Sequence, residues 1–442
     1  MFKSIIKKFL PKKLLLTYHS GLSLLANFKY GRPSNRLGVI GVTGTNGKST
    51  TVNFIAQILE NLGYRIGLAS TVNFKIADKV WLNDKKMTML GRGALQSLLS
   101  RMVAAKCDYA IIETSSEGLA QGRHLGINYD EVVFTNLTPE HLESHGGFAN
   151  YKKAKLKLFK YLSTCAKKTL NIKGVKTTLP KTIVANLDDA HGKDFLNYRA
   201  DKKIGFTLHG GQCSLAQTNI NLTDIKTAPT GSSFTIDGYF FELPIVGSFN
   251  VYNTAAAISA IIGLDIKLKT LPEAVKKLKP VAGRLETINE GQPFTVLVDY
   301  APEPESLRQL FDNLKLFPHH KVIHVFGSCG GGRDRARRPI LGKMSSEISD
   351  TMIITNEDPY DDDPQEIIDN VASGAIASGK KLDQNLFKIL NRQTAIEKAL
   401  SLATKDDLVL ITGKGAEQYI CGAGGKKTTH DDREVVRRLL AK

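Results

Sequence analysis

Short apolar runs alternate with amphipathic stretches along most of this chain. Runs rich in β-branched residues have the length of buried strands at 37–42, 109–112, 132–135 and 183–186. Between these runs, residues 50–62 and 94–104 place apolar side chains at helical spacing. Strands that alternate with helices predict a parallel sheet whose faces are covered by helices.

The pattern changes further along the chain. Residues 200–244 are rich in Thr, Ser, Gly and β-branched residues, which predicts a small antiparallel addition, and residues 253–262 are typical of a buried helix. After a boundary near 280–283, strand-like runs resume at 295–298, 321–326, 351–355, 386–390 and 408–412. We therefore predict an α/β protein with a short arm and two domains, residues 1–36, 37–281 and 282–442.

Composition narrows the class of protein without naming a function. The 442 residues carry a formal net charge of +17 at pH 7, which suits nucleic acid, acidic lipid or anionic small molecules. Because no nucleic-acid-binding module accompanies the charge, we expect no nucleic-acid partner. The five cysteines form no CxxC pair, which argues against a disulfide framework or a zinc ribbon and favours a cytoplasmic protein.

The arm at residues 1–36 is both basic and apolar. Its first half mixes Phe, Ile and Leu with Pro11 and the lysines at 3, 7, 8, 12 and 13. No apolar run reaches the roughly 20 residues that span a bilayer. A signal peptide is not expected, because no small-residue cleavage site follows. Two interpretations stay open: a helical arm packed on the next domain, or a helix on a membrane surface.

The segment TGTNGKST at 43–50 follows the first strand-like run and precedes a helix. Glycines allow a tight turn whose amide N–H groups face an anion, and the helix adds the positive end of its dipole. Lys48 would reach the β- and γ-phosphates, and a hydroxyl would bind Mg²⁺. Val42 stands at the first glycine position of the usual GxxxxGK(S/T) motif. We predict ATP contacts at Gly44, Thr45, Asn46, Gly47, Lys48, Ser49 and Thr50. The fold class becomes a central P-loop-type parallel-sheet ATPase domain plus a C-terminal Rossmann-like α/β domain.

A series of motifs resembles the Mur ligases, which build the peptide of bacterial peptidoglycan. In chain order they are GVTGTNGKST, ETSSEGLAQGR, VFTNLTPEHLESHG, YKKAKLKLF, FNVYN, GRLE, VDYAPEPESL, FGSCGGGRDRARRP, GKGAE and DDREVV. Their order and spacing, from residue 37 to the C-terminus, are most similar to the MurE branch. The resemblance implies an ATP- and Mg²⁺-dependent ligase that converts a carboxylate to an acyl phosphate, which an amine then attacks. In that branch the acceptor is UDP-N-acetylmuramoyl-L-Ala-D-Glu, and the amine belongs to diaminopimelate or L-lysine.

The resemblance assigns catalytic roles to Lys48, Glu113, His141 and Lys155. Ser49, Glu113 and His141 would hold Mg²⁺, and Lys155, which the family carbamylates, would add a carboxylate-like ligand. Oxygen ligands suit Mg²⁺, and Glu113 follows a strand-like run, at the sheet edge where α/β proteins bind ligands. Two plainer interpretations stay open: His141 as a capping or core histidine, and Lys155 as part of a solvated basic helix face.

The same resemblance assigns the substrate contacts. ATP would also contact Asn253, Arg284 and Asp299. The UDP-muramoyl-dipeptide would contact Thr88, Ser115, Gln121 and Arg123. The incoming amino acid would contact Arg333, Asp358 and Glu417. A guanidinium fork suits phosphate or carboxylate, and the Glu417 carboxylate suits the amino acid's distant ammonium, the alternative being a surface role.

Departures from the family pattern concern the substrates more than the reaction. Because only residues 1–36 precede the first strand-like run, we expect the usual N-terminal UDP-binding domain to be largely missing. Glu117-Gly118 replaces the His-Ala of SSHAL, residues 300–304 read YAPEP for YAHTP, and Ala416 replaces the His of GKGHE. The diaminopimelate signature DNPR reads EDPY at 357–360, without its Arg. The acidic run at 361–363 that follows would suit a cationic side chain such as that of lysine, or form a solvated turn.

The leading hypothesis is a cytoplasmic, monomeric MurE-type ligase whose substrates are ATP, UDP-muramoyl-dipeptide and an amino acid. A diverged Mur-type ligase with a lipid-linked acceptor is the nearest alternative, because the basic arm allows peripheral membrane contact. A folylpolyglutamate-synthase-like ligase matches the later motifs less well, and MurT-type enzymes would need zinc-ribbon cysteines. Among other classes, an inert ATP-binding scaffold is disfavoured by the intact catalytic residues, and a nucleic-acid-binding ATPase rests on charge alone.

Overall fold

The computed structural model describes residues 12–140 and 142–441. The strands are β1 Gly38–Thr43, β2 Ile66–Ala69, β3 Asn73–Ile76, β4 Lys79–Leu82, β5 Tyr109–Glu113, β6 Glu131–Phe134, β7 Lys168–Ile172, β8 Val175–Leu179, β9 Thr182–Asn186, β10 Lys202–Thr207, β11 Thr218–Ala228, β12 Gly231–Ile236, β13 Tyr239–Leu243, β14 Glu286–Ile288, β15 Thr295–Val298, β16 Val322–Phe326, β17 Thr351–Thr355, β18 Leu386–Ile389, β19 Leu408–Ile411, β20 Tyr419–Cys421 and β21 Lys427–Thr429. The α-helices are α1 Lys12–Lys29, α2 Lys48–Asn61, α3 Arg92–Ala104, α4 Ser116–Ala120, α5 Leu142–His145, α6 Phe148–Leu162, α7 Gly192–Leu196, α8 Ser248–Gly263, α9 Pro272–Val275, α10 Pro304–Leu314, α11 Arg337–Ile348, α12 Pro364–Ala377, α13 Arg392–Leu402 and α14 Asp432–Leu440.

An eleven-stranded sheet organises the first part of the molecule, in the order β13-β12-β11-β10-β9-β6-β1-β5-β2-β3-β4. β1 is parallel to β5 on one side and to β6 on the other, and all of its residues are buried. Its sequence, GVIGVT, places no charged residue on either face. A strand covered by helices on both sides requires this, and burial on both faces keeps β1 in the centre of the sheet.

The strands beyond β9 pair in directions that differ partly from the predicted antiparallel addition. Residues 200–244 do form additional strands, but β10 pairs in parallel with β9 and with the start of β11. The antiparallel addition begins only where Leu222 of β11 pairs with Ile236 of β12, and β13 completes it. Composition indicated strands correctly, whereas their direction depends on tertiary pairing that composition does not specify.

Helices cover both faces of this sheet and bury a separate apolar core on each. On one face α2 packs against α8, whose Ala255, Ala256 and Ala257 are almost completely buried. Small alanine side chains allow helices to approach closely. Both α2 and α8 therefore bring their N-terminal ends to the carboxyl end of β1.

Residues 286–411 form a six-stranded sheet in the order β14-β15-β19-β16-β17-β18. It is parallel except at its edge strand β14, and helices cover two apolar cores on its faces. Asp299, just after β15, lines the same cleft as Lys48, just after β1. The carboxyl edges of the two parallel sheets thus meet at one cleft, where α/β folds bind their ligands.

Helix α1 has two different faces. Ser23 Oγ donates a hydrogen bond of 3.0 Å to the Gly122 carbonyl, which attaches the arm to the first sheet's domain. On the other face Leu24, Leu25 and Phe28 are 55%, 67% and 73% exposed. Over residues 12–140 and 142–441, no helix has the length and apolar character needed to cross a membrane.

Candidate active site

The phosphate loop connects the carboxyl end of β1 to the first turn of α2. Gly47 has a φ of +78°, and a Cβ there would lie 2.2 Å from Asn253 Oδ1. A Cβ on Gly44 would lie 1.9 Å from Thr135 Oγ1. A side chain at either position would displace the neighbouring Asn253 or Thr135 side chain, and the left-handed conformation of Gly47 also favours glycine.

Asn136, just after β6, holds the loop from behind. Its carbonyl accepts a hydrogen bond from Thr45 N at 2.8 Å, and its Oδ1 accepts one from Asn46 N at 2.8 Å. Lys48 Nζ donates to the Thr45 carbonyl at 2.6 Å, so the lysine folds back over the loop. The first amides of α2 lack acceptors within the helix and point toward the cleft, which favours an anion there.

Glu113, at the end of β5, is 2% exposed and accepts hydrogen bonds from two other segments. Its Oε2 accepts hydrogen bonds from Ser49 Oγ at 2.9 Å and from Thr71 N at 2.7 Å, and its Oε1 accepts one from Thr71 Oγ1 at 2.9 Å. Arg284 Nη2 also reaches Ser49 Oγ, at 3.3 Å. Ser49 and Glu113 were predicted to act together. Thr71 was not predicted, because it follows β2 without any motif around it.

Lys155 on α6 is 1% exposed, whereas Lys153 on the same helix is exposed. Lys155 Nζ donates to the Gly44 carbonyl at 2.5 Å and lies 4.4 Å from the centroid of the Tyr151 ring. Burial, assisted by the charge of Lys48, holds the pKa of Lys155 well below its ordinary value. The interpretation of Lys155 as part of a solvated basic face is therefore wrong.

The predicted metal ligand His141 lies outside the described residues, so its role stays a prediction. Its neighbours in the sequence do reach the site. Tyr151 OH lies 3.1 Å from Thr45 Oγ1 and donates to Glu140 Oε2 at 3.4 Å. His145 Nε2 lies 3.1 Å from Ser116 Oγ, and burial, followed by the charge of Lys155, lowers the pKa of His145.

The second sheet supplies the opposite wall of the cleft. The guanidinium carbon of Arg284 lies 4.3 Å from the centroid of the Tyr300 ring. Asp299 accepts backbone hydrogen bonds from Leu285 N at 2.5 Å and Ala301 N at 2.8 Å. Burial raises the pKa of Asp299, and the neighbouring Arg284 opposes that shift.

The cleft between the two walls has a volume of about 480 Å³. Most of the residues predicted to contact ATP line it, namely Thr45, Asn46, Gly47, Lys48, Ser49, Thr50, Asn253, Arg284 and Asp299. Thr88 and Glu113 line it as well. Gly44 lies behind the loop, where its carbonyl holds Lys155.

The other residues predicted for the UDP-muramoyl-dipeptide lie beside α4, away from the lining of this cleft. Ser115 Oγ caps α4 by accepting a hydrogen bond from Gly118 N at 3.1 Å. Arg123 Nη2 donates to Gln121 Oε1 at 2.8 Å, and Arg123 Nη1 donates to the Met89 carbonyl. These contacts connect α4 to the loop that carries Thr88.

The residues predicted for the incoming amino acid lie at the junction of the two sheets. Lys414 Nζ donates to Asp358 Oδ1 at 3.0 Å and to Glu417 Oε2 at 2.8 Å. Lys86, from the first sheet's domain, donates to both carboxylates at 2.7 Å and was not predicted. The Glu417 side chain is 19% exposed and pairs with both lysines, which favours a role in this cluster over a solvated surface role. Arg333 lies half-buried nearby.

The acidic run at 361–363 forms a turn. Asp361 Oδ1 accepts from Gly424 N at 2.8 Å, and Asp363 Oδ1 caps α12 by accepting from Gln365 N at 2.9 Å. Asp362 pairs with Arg338 Nη2 at 3.2 Å. These carboxylates already have partners, so the turn interpretation fits the structure better than a pocket for a cationic side chain.

The residues around α2 fit a magnesium-bound nucleotide. Mg²⁺ in such sites keeps several waters and phosphate oxygens, and needs only one or two protein carboxylates. The Ser49 hydroxyl and the Glu113 carboxylate, 2.9 Å apart, provide oxygen donors beside the phosphate loop. Within the described part of the chain, no three His, Cys, Asp or Glu side chains gather as an all-protein metal site. The donor set therefore suits Mg²⁺ held jointly with phosphates.

Comparisons with known proteins agree with this geometry. The family model described as the Mur ligase middle domain matches residues 42–261, and the one described as the Mur ligase, glutamate ligase domain matches residues 283–415. The UDP-N-acetylmuramyl-tripeptide synthetase of Roseiflexus sp. is 35% identical over 95% of this chain and 82% of its own length. The UDP-N-acetylmuramoyl-L-alanyl-D-glutamate–2,6-diaminopimelate ligase of Bacillus cereus is 34% identical over 97% of this chain and 83% of its own length.

Solved structures show the same fold. A UDP-N-acetylmuramoyl-L-alanyl-D-glutamate–2,6-diaminopimelate ligase superposes with a TM-score of 0.58 at 29% identity, over 92% of this chain and 78% of the other. The folylpolyglutamate synthase of Mycobacterium tuberculosis gives a TM-score of 0.66 at 16% identity, over 90% of this chain and 92% of the other. At that identity, the second likeness concerns the fold alone.

Proposed function

The chain belongs to the Mur ligase family and is an ATP-dependent ligase, and we propose that it adds the third amino acid to UDP-N-acetylmuramoyl-L-alanyl-D-glutamate during peptidoglycan precursor synthesis. The observation that carries the proposal is the convergence of Ser49, Glu113 and buried Lys155 around one phosphate loop. A cleft that only bound nucleotide would not require a buried lysine with a lowered pKa behind that loop. We propose domains at residues 37–281 and 282–442, with the cleft between them.

Positioning and charge neutralisation supply most of the catalysis in phosphoryl transfer. The first amides of α2 and the turn at Gly47 would hold the phosphates of ATP, and Lys48 would move from the Thr45 carbonyl to the γ-phosphate. Ser49 and Glu113 would hold Mg²⁺, which when bound offsets the charge of the phosphate oxygens. The acceptor carboxylate would take the γ-phosphoryl group as ADP leaves, and the amine would then displace inorganic phosphate from the acyl phosphate and lose a proton as the amide forms.

Lys155 is proposed to act as its carbamate. A neutral lysine amine adds CO₂ and loses a proton, which yields a carboxylate-like group on the same side chain. Burial lowers the pKa of Lys155 and so favours the neutral amine that this addition requires. The resulting anion would lie in the field of Lys48, which disfavours a cation and favours an anion at that position. His141 and the carbamate would complete the oxygen-rich metal site.

Arg284, Asp299 and Asn253 are proposed to contact the nucleotide from the far wall of the cleft. Thr88, Ser115, Gln121 and Arg123 are proposed to contact the acceptor, and Arg333, Asp358 and Glu417 the amino acid. The carboxylates of Asp358 and Glu417 favour an amino acid whose side chain ends in an ammonium. The absence of the DNPR arginine disfavours the second carboxylate of diaminopimelate. Both features therefore favour L-lysine over diaminopimelate.

Phosphate release from ATP tests this proposal. It is measured with UDP-N-acetylmuramoyl-L-Ala-D-Glu and a panel of L-lysine, meso-diaminopimelate and neutral amino acids, with the Lys48→Ala variant as the blank. We expect turnover only when ATP, acceptor and L-lysine are all present. If no amino acid on the panel triggers phosphate release, the substrate assignment is wrong.

We also propose that the exposed face of α1 contacts an anionic membrane, while the rest of the monomer stays in the cytoplasm. Leu24, Leu25 and Phe28 project together from one face, and no acidic residue precedes Glu60 in the sequence. Apolar side chains among cations match a helix that lies in the plane of an anionic lipid surface. A second copy of this chain is a less suitable partner for this face, because two basic arms would repel each other.

Co-sedimentation with vesicles tests the membrane contact. Vesicles containing phosphatidylglycerol should retain the protein, and vesicles of phosphatidylcholine alone should not. Phe28→Ser should release the protein from the anionic vesicles, whereas Phe240→Ser, at an exposed phenylalanine on β13, should not. Equal retention of Phe28→Ser and the wild type would contradict the proposed contact.

A further inference from the structure

Four charged side chains form a closed cluster between the two domains. Lys86 and Lys414 supply the ammonium groups, and Asp358 and Glu417 supply the carboxylates. Each ammonium bonds both carboxylates, at distances between 2.7 and 3.0 Å. Lys414 Nζ also donates to the Tyr419 carbonyl at 2.7 Å.

The cluster is balanced and largely buried. The side chains of Lys86, Asp358, Lys414 and Glu417 are 9%, 5%, 0% and 19% exposed. Burial alone would raise the pKa of Asp358, but Lys414 and Lys86 hold it below its ordinary value. If either cation left, an unpaired buried negative charge would remain, and such a charge is strongly unfavourable unless another cation replaces it.

The two lysines differ in how they are attached. Lys414 follows β19 in the same domain as both carboxylates. Lys86 comes from the other domain, on the loop between β4 and α3. Asn83 Nδ2 fixes the start of that loop through hydrogen bonds to the carbonyls of Ser70 at 2.8 Å and Met87 at 3.0 Å. Lys86 is thus the cation that separates from the carboxylates if the two domains move apart.

The space beside the cluster leads to the nucleotide cleft. A cavity of about 10 Å³ is lined by both Lys414 and Glu417, and it shares Thr71, Arg284 and Tyr300 with the larger cleft. That volume holds about one water molecule. The cavity therefore borders both the nucleotide cleft and Glu417, whose carboxylate accepts the hydrogen bond of 2.7 Å from Lys86 Nζ.

We propose that Lys86 is an internal occupant of the ammonium site: its Nζ stands where the side-chain ammonium of the incoming amino acid binds, and that amino acid displaces it. This inference rests on the proposed function, which directs a diamino acid to Asp358 and Glu417. In the exchange no bond is made or broken covalently. One ammonium leaves two carboxylates and another takes its place, so the buried charge stays balanced.

The exchange selects among amino acids. A neutral side chain that displaced Lys86 would leave the carboxylates with one net negative charge, whereas a side chain ending in an ammonium would not.

Ligand-induced thermal stabilisation tests the exchange without requiring catalysis. In Lys86→Ala, n-butylammonium and L-lysine should each raise the melting temperature, while 1-butanol and L-norleucine should not. In the wild type and in Lys85→Ala the ammonium compounds should have much weaker effects. Lys85 is the matched control, because it neighbours Lys86 on the same loop but is exposed and pairs only with Asp84. Since the Lys86 ammonium competes with the ligand in the wild type, Lys86→Ala should bind L-lysine about tenfold more tightly than the wild type does.

Lys86→Met repeats the test with the apolar length of the side chain preserved, in case the alanine variant is poorly folded. The inference would be overturned if neither ammonium compound stabilised either variant. It would also be overturned if L-norleucine and L-lysine stabilised the variants equally. Failure of the proposed function gives a different result. In that case no amino acid drives phosphate release in the wild type, yet the ammonium compounds still stabilise Lys86→Ala.

Discussion

Ser49 Oγ donates a hydrogen bond of 2.9 Å to Glu113 Oε2, and this bond joins the first turn of α2 to the end of β5. Sixty-four positions separate the two residues in the chain. The neighbouring position of β1 and β5 in the sheet brings them together, because parallel strands end at a common edge. The hydroxyl and the carboxylate are thus placed for a shared metal ion by the topology of the sheet itself.

Replacement of Glu113 tests that placement. Glu113→Gln keeps the volume of the side chain but removes its charge, and one of its two oxygen acceptors becomes a donor. We expect kcat to fall by about 100-fold or more, as when a preorganised electrostatic group is lost, with little change in the circular dichroism spectrum. Glu347→Gln, at an exposed position on α11, should retain wild-type activity. Comparable activity of the two variants would rule out a metal-binding role for Glu113.

Lys155 and Lys153 form a matched pair on α6, one buried and the other exposed. Lys155→Ala should lose most activity, and high bicarbonate should not restore it, because the atom that carries the carbamate is gone. Lys153→Ala should have a mild effect. Carbon-13 NMR of wild-type enzyme in labelled bicarbonate should show a carbamate signal that Lys155→Ala lacks. Equal losses from the two substitutions would argue against carbamylation at Lys155.

Gly47→Ala should weaken ATP binding more than backbone strain explains. A non-glycine residue in the left-handed region costs about 1–2 kcal/mol, and here the added Cβ would also meet Asn253 Oδ1 at 2.2 Å. Gly379, at φ +92° with no atom within 4 Å of an added Cβ, is the control for strain alone. Calorimetric ATP binding should be lost or greatly weakened in Gly47→Ala and retained in Gly379→Ala. Retained affinity in both variants would show that the phosphates bind elsewhere.

His324 should make the protein sensitive to acid. Burial, with a smaller effect from Arg392, lowers the pKa of this histidine to about 3. As pH falls below about 6.5, His324 takes up a proton in the unfolded chain but stays neutral in the folded protein. The free energy of unfolding therefore falls by up to about 1.4 kcal/mol per pH unit from this group, and the full contribution is present only above that pH.

Urea unfolding at about pH 7 and about pH 5 checks this dependence. His324→Gln keeps a polar group near Ser345 and Thr412, the hydrogen-bond partners of His324, but cannot become charged in this range. The variant should lose less stability than the wild type between the two pH values. Some loss should remain, because burial also lowers the pKa of His124, to about 4. Identical losses would show that His324 does not titrate on unfolding.

The positions of several buried strands along the chain and the phosphate loop were predictable, because they depend on local apolar runs and on glycines in a tight turn. The burial of Lys155 was also available in the sequence: Tyr151, Ala154, Leu158, Phe159 and Leu162 form an apolar stripe at helical spacing, and Lys155 falls within it. The charge of the neighbouring lysines favoured the alternative interpretation of a solvated basic helix face. Helical position, more than local charge, decides which lysine faces the core.

Lys86 and Thr71 were not predictable by the same means. Both lie in loops after strands of the first sheet, with no motif around them. Thr71 reaches Glu113 because β2 adjoins β5 in the sheet, and Lys86 reaches Asp358 only across the junction between the domains. Such contacts depend on the three-dimensional arrangement of distant segments, which apolar periodicity does not encode.

Transfer of oxygen from acceptor to phosphate tests the proposed reaction most directly. UDP-N-acetylmuramoyl-L-Ala-D-Glu labelled with ¹⁸O in the side-chain carboxylate of its glutamate is incubated with the enzyme, ATP, Mg²⁺ and L-lysine, and the released phosphate is analysed by mass spectrometry. An acyl phosphate at the site of Lys48 and Glu113 predicts that each phosphate carries one labelled oxygen from the acceptor. Unlabelled phosphate, with all of the label retained in the acceptor or product, would contradict this chemistry.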